Sequence, residues 1–447
     1  MGFADYIKTG LLKWPNWLTL FLWRCNFLGK YAYGFSYVKA LKSSETFDRN
    51  EKLLEIVNYS IKNVPYYRKR YNGLVVRSIK EFEEKISCID KDEVMSHWDE
   101  FLVDGIDMSK CVVGTTGGTS GKSLKLVIPK NRYIHSYLFW HKELKWYGWN
   151  YDSRAVLRNH KLSDNKVFMV NPVLKEFIFD AFRMSPNYAV EVYNVMKQYN
   201  IKYIHAYPSS AYQFLKYCYN QKRDLSFIKL CILTSETLTE EQKFFIEKTL
   251  GISIYISYGH SEKLIMAGTC PKSDYYHIED NYGYFELLDK NNEVISAPDV
   301  LGEITGTTFI NKYMPLIRYK TGDFTSYAKE NSCNHGGHSY RLLNPVNGRW
   351  QSSYIFKADG STTTTAALNL HSDILECIDG LQYIQENKGE LIVLIIKNDL
   401  YTDNIECRLR KHYKDCLGED SKIELRYVDH LIYQPNGKFL SYINRNK

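Results

Sequence analysis

Four short apolar runs, separated by stretches of helical spacing, constrain this chain more than any other feature. Residues 167–170 (VFMV), 203–207 (YIHAY), 230–235 (LCILTS) and 254–259 (IYISYG) read as strands. Residues 209–219 and 240–249 read as helices between them. A strand with little polar surface has to be covered, and interleaved helices are the usual cover. The alternation therefore argues for α/β layers.

The rest of the chain fits around that unit. Apolar residues at 53, 54, 57, 61 and 64 give residues 51–64 helical spacing, with Pro65 as the stop. Residues 110–129 read as strand, polar glycine loop, strand. A Tyr- and Trp-rich helical stretch follows from Tyr133. After Gly348 the texture changes. A hairpin (LQYIQ, ENKG, ELIVLII) precedes a helix with Ile405, Leu409 and Tyr413 on one face, then a strand, KIELRYV. Two domains are expected: a large α/β unit, 1–348, and a small α+β unit, 349–447.

Composition removes several function classes. Hydrophobic residues are 44% and charged residues 24%, ordinary globular usage that speaks against a disordered chain. The net charge of +7 is spread without a Lys/Arg block, so no nucleic-acid partner is expected, only a weak pull on anionic ligands. The ten cysteines are scattered and form no CxxC pair, which points to a reducing cytoplasm. The start of the chain lacks a signal-peptide pattern. The apolar run 17–23 is too short to span a bilayer. It is expected to dock on the body as a helix; lying at a membrane surface, as a peripheral segment, is the alternative.

The strongest local signal is the loop Thr115-Thr116-Gly117-Gly118-Thr119-Ser120-Gly121-Lys122-Ser123. Glycines let backbone N–H groups turn toward an anion, hydroxyls add donors and a lysine adds charge. It is not a Walker A loop, because the first glycine of that pattern would fall on Thr116. A polar hairpin without ligand is the plain alternative. Further segments follow in a set order. They are Ala206-Tyr207-Pro208-Ser209, Ser235-Glu236, Tyr258-Gly259-His260-Ser261-Glu262, Leu301-Gly302-Glu303-Ile304, Pro315 to Asp323 (PLIRYKTGD), Gly348-Arg349 and Pro435-Asn436-Gly437-Lys438.

In that order the segments resemble the adenylate-forming superfamily. The nearest likeness is to phenylacetate–CoA ligases and their CapK-like relatives in capsular polysaccharide biosynthesis, from about Tyr66 to Phe439. The resemblance implies a large α/β domain with a small mobile α+β lid. It also implies a cytoplasmic ligase requiring ATP and Mg²⁺ that converts a small carboxylate into an acyl-adenylate. A thiol such as CoA, or an amine, would then accept the acyl group. Residues 116–122, Lys122 among them, match the phosphate-holding loop. Tyr258 matches the adenine-stacking tyrosine, Ser261 the α-phosphate contact and Glu262 the Mg²⁺ carboxylate. Asp323 matches the ribose-binding aspartate, Arg349 the hinge arginine, Ser235 and Glu236 the adenine-pocket wall, and Lys438 the adenylation lysine. The acid that usually follows the Gly-Arg pair is absent, which bears on lid rotation and the second half-reaction. Segments 157–172 and 203–210 are expected to line the acyl pocket.

Cys270, His277, Cys333 and His335, with His338 nearby, form a second constellation, since thiolate and imidazole are zinc ligands. Their spacing is not a common finger pattern, and unrelated cysteines with surface histidines would look the same. Some phenylacetate–CoA ligase-like proteins hold a structural zinc between these motifs, which implies the same use here. His205 and His260 read equally as pocket wall or acid–base groups. From a different class, the chain could be a catalytically silent nucleotide- or acyl-binding subunit of a polysaccharide assembly complex.

Overall fold

A computed structural model describes residues 10–12, 14–26, 29–43, 48–115, 124–158, 160–163, 166–235, 238, 240–335, 338–346, 354–368, 370, 374, 377–432 and 442–445. The glycine loop between β1 (Cys111–Thr115) and β2 (Lys125–Pro129) lies outside them.

Three of the four expected strands, 203–207, 230–235 and 254–259, lie in the parallel centre of a ten-stranded mixed sheet, whereas 167–170 contributes only to the antiparallel edge strand Met169–Asn171. β3 (Arg154–Leu157), β4 (Met169–Asn171), β5 (Glu176–Ile178), β6 (Tyr203–Ala206), β7 (Leu230–Thr234) and β8 (Ser253–Gly259) make one half of it. β3 pairs in parallel with β5 and β6, β6 with β7, and β7 with β8. β9 (Met266–Cys270) runs antiparallel to β8, and β10 (Ser273–Ile278) antiparallel to β9. The small antiparallel sheet of β11 (Gly283–Leu288), β12 (Gly302–Thr308) and β13 (Tyr319–Thr325) comes next in sequence. β14 (Tyr327–His335) and β15 (His338–Leu343) then return to complete the large sheet beyond β10.

Period-two alternation sorts the central strands onto two cores. Ile204, Ala206, Cys231 and Leu233 face the helices Pro186–Gln198 and Pro208–Asn220. Tyr203, Leu230, Ile232 and Tyr255 face the helix Arg132–Trp146. That arrangement confirms the α/β class. The helix after β7 is α-helical only over Glu240–Phe244 and continues as a π-helical turn, Phe245–Thr249.

Pro65 does more than stop a helix. The helix Arg49–Asn63, capped by the Asp48 side chain on the N–H groups of Asn50 and Glu51, ends before extended Val64. Pro65 then occupies the first turn of a new helix, Pro65–Tyr71, where its missing N–H costs nothing. The apolar run near the N-terminus does dock on the body. Within the helix Asn16–Arg24, Trp23 donates to Ser153 Oγ at 2.8 Å and packs edge-on against Phe177.

The C-terminal elements have their own core. β16 (Tyr354–Phe356) and β17 (Thr362–Thr364) form a small hairpin. β18 (Ile378–Gln385), β19 (Glu390–Lys397), β20 (Lys422–Tyr427) and β21 (Tyr442–Asn444) form a four-stranded sheet under the helix Asp403–Leu417. Ile405, Leu409 and Tyr413 are buried on the face expected of them. Phe182 of the larger unit packs against this core, and Lys161 pairs with Asp415. The boundary expected near Arg349 falls among residues outside the description.

One buried ion pair ties the small sheet to the N-terminal helices. Arg318 and Glu286 are 3% and 2% exposed, and Arg318 Nη2 lies 2.9 Å from Glu286 Oε1. Arg318 Nη1 also donates to the carbonyls of Glu83 and Ile86. Arg318→Ala would leave Glu286 buried and unpaired, so chemical denaturation should show a loss of about 3–5 kcal/mol. The double variant Arg318→Met, Glu286→Gln, which buries no net charge, should lose clearly less.

Candidate active site

Parallel strands place their carboxyl ends along one edge, and the residues that follow each strand meet there. Arg158 follows β3, Tyr207 follows β6, Ser235 follows β7 and His260 follows β8. They line an open cleft of about 1060 Å³ together with Tyr137, Trp140, Tyr258, Ser261, Glu262, Lys263 and Asp323. Sequence order had separated Tyr258 from Asp323 by 65 residues; here Tyr258 Oη donates to Asp323 Oδ2 at 2.9 Å.

Asp323 is aimed by a local irregularity. β12 and β13 are in register at Glu303–Phe324 and again at Thr305–Lys320, so β13 carries extra residues between these pairs. Gly322 takes up the bulge at φ 75°, a conformation glycine adopts without strain, and its N–H donates to Glu303 Oε1 at 3.0 Å. The glycine of the TGD segment thus re-aims the aspartate.

Glu262 is 8% exposed. Tyr319 Oη donates to its Oε1 at 3.4 Å, and His260 Nδ1 lies 3.2 Å from its Oε2. Ser261 is exposed. Ser235 sits at φ 69°, and its hydroxyl accepts from Arg158 Nη2 at 3.3 Å. Of the other residues singled out in the sequence, Thr116, Gly117, Gly118, Thr119, Ser120, Gly121, Lys122, Glu236, Arg349 and Lys438 lie outside the described residues.

Cys270, His277, Cys333 and His335 do converge. Their ligand atoms all lie within 4.8 Å of one another. Zn–S and Zn–N lengths of about 2.3 and 2.0 Å set tetrahedral edges of roughly 3.3–3.8 Å, so small side-chain shifts would close the set on one ion. His277 Nδ1–H donates to the carbonyls of Gly268 and Tyr275, each at 3.1 Å. That tautomer leaves Nε2 as the lone-pair nitrogen, and Nε2 is buried with no partner. The backbone N–H of Lys272 donates to Cys270 Sγ at 3.3 Å. Trp146 stacks on His335 at 4.2 Å. His338 is not one of the four.

Arg158, Lys263, Tyr137 and Trp140 were not individually legible in the sequence. Arg158 belongs to a segment expected to line the acyl pocket. The signal that singles it out is an arginine directly after a buried four-residue strand.

Residues 356–446 match the family model described as the CapK C-terminal domain. Over 422 residues the chain is 24% identical to Protein CapK of Staphylococcus aureus, covering 89% of each. Among solved structures it resembles 2-hydroxyisobutyryl-CoA ligase in complex with 2-HIB-AMP and CoA in the thioesterification state. The identity is 16%, the coverage 89% of both chains and the TM-score 0.58. An open conformation of that ligase with the same two ligands gives 16% identity, coverage of 88% and 90%, and a TM-score of 0.55. The chain therefore has the fold of the adenylate-forming ligases, with a small C-terminal domain.

His135, on the helix beside the cleft, tests the electrostatics. Its Nε2–H donates to Tyr282 O at 3.0 Å, and burial pushes its pKa down to about 4. A histidine lowered on folding binds fewer protons folded than unfolded between about pH 6.5 and 4. Stability is therefore lost as pH falls through that window, by up to about 3 kcal/mol at its acid end. In His135→Phe, stability measured by denaturation should fall less over the same window.

Proposed function

We propose that this protein is an ATP-dependent carboxylate-activating ligase that works through an acyl-adenylate. The observation that carries the proposal is the meeting of Tyr258 and Glu262, from one sequence motif, with Asp323, from another, at the carboxyl edge of a parallel sheet. The fold and the CapK likeness support it.

The chemical problem is electrostatic. A carboxylate is a poor electrophile, and its attack on an α-phosphate brings two anions together. Asp323 would accept hydrogen bonds from the ribose hydroxyls, fixing the nucleotide against Tyr258. Glu262 is buried at the cleft and fits a Mg²⁺ ligand, the ion supplying positive charge at the phosphates. Ser261 would reach the α-phosphate. Residues 116–122, including Lys122, would hold the distal phosphates, and Ser235 and Glu236 would flank the adenine. Lys438, on the small domain, would enter between carboxylate and α-phosphate when that domain closes, with Arg349 at the hinge. The acceptor is a thiol such as CoA or an amine, and the likeness to CapK favours a place in surface polysaccharide biosynthesis. No helix among the described residues is long and apolar enough to cross a membrane.

Carboxylate-dependent exchange of pyrophosphate into ATP tests the reading. A silent binding subunit would give none with any carboxylate. Within the same assay, Asp323→Ala removes charge-assisted bonds worth about 1.5–3 kcal/mol, so ATP affinity by calorimetry should fall roughly ten- to hundred-fold. Unchanged affinity in a folded variant would falsify the ribose role.

The thiol–imidazole cluster fits a structural zinc site, since four protein ligands leave no position open for water. It would clip β9 and β10 to the β14–β15 hairpin. Elemental analysis should find about one zinc per chain. Cys270→Ser, or removal of the metal by a chelator, should lower Tm by about 5 °C or more while nucleotide affinity stays close to wild type.

A further inference from the structure

The cleft holds positive charge that adenylation does not use. Arg158 Nη1 donates to His205 Nε2 at 3.0 Å, Nη2 donates to Ser235 Oγ, and the guanidinium lies 5.3 Å from the centre of the Tyr207 ring. Among the described residues its Nε–H is buried with no partner, and no carboxylate is ion-paired with it. An arginine can only donate, so His205 Nε2 must accept and the proton sits on Nδ1. Among the described residues that Nδ1–H is also buried without a partner. Burial, with Arg158 beside it, pushes the His205 pKa well down, in keeping with a neutral ring.

Lys263 adds to the excess. It lines the same cleft at φ 58°, and burial together with the charges of Arg132 and Arg158 pushes its pKa down. Arg132 Nη1 is buried and unpartnered. Donors and like charges held together out of water raise the free energy of the empty cleft, and an arriving anion relieves it.

Two anions could do so: the phosphates of the nucleotide, or a group on the acyl substrate. Surroundings favour the substrate. The guanidinium reaches from the end of β3 to Ser235 at the end of β7, one strand from Tyr258, and lies against the ring of Tyr207. The β1–β2 hairpin that carries the glycine loop packs in the core of Leu264, Ile265 and Ile278, on the opposite side of β8. The Arg158 end is instead walled by Tyr207 and by Trp140, whose ring lies 5.1 Å from that of His205.

We propose that the carboxylic acid activated here carries a second anionic group, most simply a second carboxylate, which Arg158, held by His205, receives in the cleft beside Tyr207. The proposal rests on the adenylation reading for its first carboxylate. The guanidinium supplies charge-assisted donors matched to a carboxylate, and His205 Nε2, by accepting from Nη1, holds it in place. A pocket of buried donors rejects the analogue lacking the acceptor more strongly than a greasy pocket rejects a misfit.

Pyrophosphate exchange would be run with matched pairs: pentanoate and glutarate, octanoate and suberate, benzoate and isophthalate. Wild type is expected to favour at least one diacid over its monoacid by tenfold or more in kcat/KM. Arg158→Gln should lower the ratio of diacid to monoacid kcat/KM about ten- to hundred-fold, whatever it does to both in common. Arg158→Lys should fall between. A wild-type preference for monoacids throughout would overturn the proposal without any variant. So would an Arg158→Gln protein that loses all acids equally and needs more pyrophosphate or ATP, because the arginine would then serve the phosphates. Calorimetry with the diacids separates this proposal from the reading beneath it. Diacid binding that Arg158→Gln abolishes, with no exchange for any acid, supports the anion site and sinks adenylation. Neither binding nor exchange with any diacid overturns both.

Discussion

The change of strand direction at β8 is the constraint on which both chemical regions depend. On one side β8 pairs in parallel with β7, on the other antiparallel with β9. The parallel side brings the ends of β3, β6, β7 and β8 to one edge, so residues from four connections face the same cleft. The antiparallel side starts a meander whose strands β9 and β10 carry Cys270 and His277. A tight return from β8 to β9 carries Ser261 to Ile265, which puts Glu262 at the cleft and Leu264 and Ile265 in the neighbouring core.

Gly268 shows how close that junction is packed. It faces Ser257 of β8 and His277 of β10. A Cβ there would come 2.5 Å from Glu143 Oε2 and 2.7 Å from the Tyr255 ring. Beneath it Tyr255 donates to Glu143, whose carboxyl is pushed far up by burial, while Glu279 pairs with Lys142 at 2.6 Å. A neutral acid and a paired one side by side avoid the cost of two buried anions. The same glycine's carbonyl fixes the His277 tautomer. Sheet packing and metal-ligand geometry are thus set by one close approach.

The small domain touches the larger unit beyond the end of β3. Its helix Asp403–Leu417 reaches the turn Ala181–Arg183, and Asp415 pairs with Lys161. The segment that follows β3, expected to line the acyl pocket, is therefore also the one the small domain touches.

Much of this was legible in the sequence, because it depends on local rules. Apolar runs and helical spacing gave the α/β class, and the helix Asp403–Leu417 buried the face its periodicity predicted. Ordered motifs named Tyr258, Glu262 and Asp323, and ligand chemistry named the four zinc candidates. The mixed sheet was not legible, since pairing between β10 and β15 joins segments some 60 residues apart and depends on register, which local pattern does not encode. Nor was Pro65 as a helix start, because proline reads the same at a stop and at a first turn. Arg158 marks the same limit within the site. As a sequence letter it is one arginine among many. Only the alignment of four strand ends, which places His205, Ser235 and Tyr207 around it and no carboxylate of the described chain, decides that its charge faces the cleft.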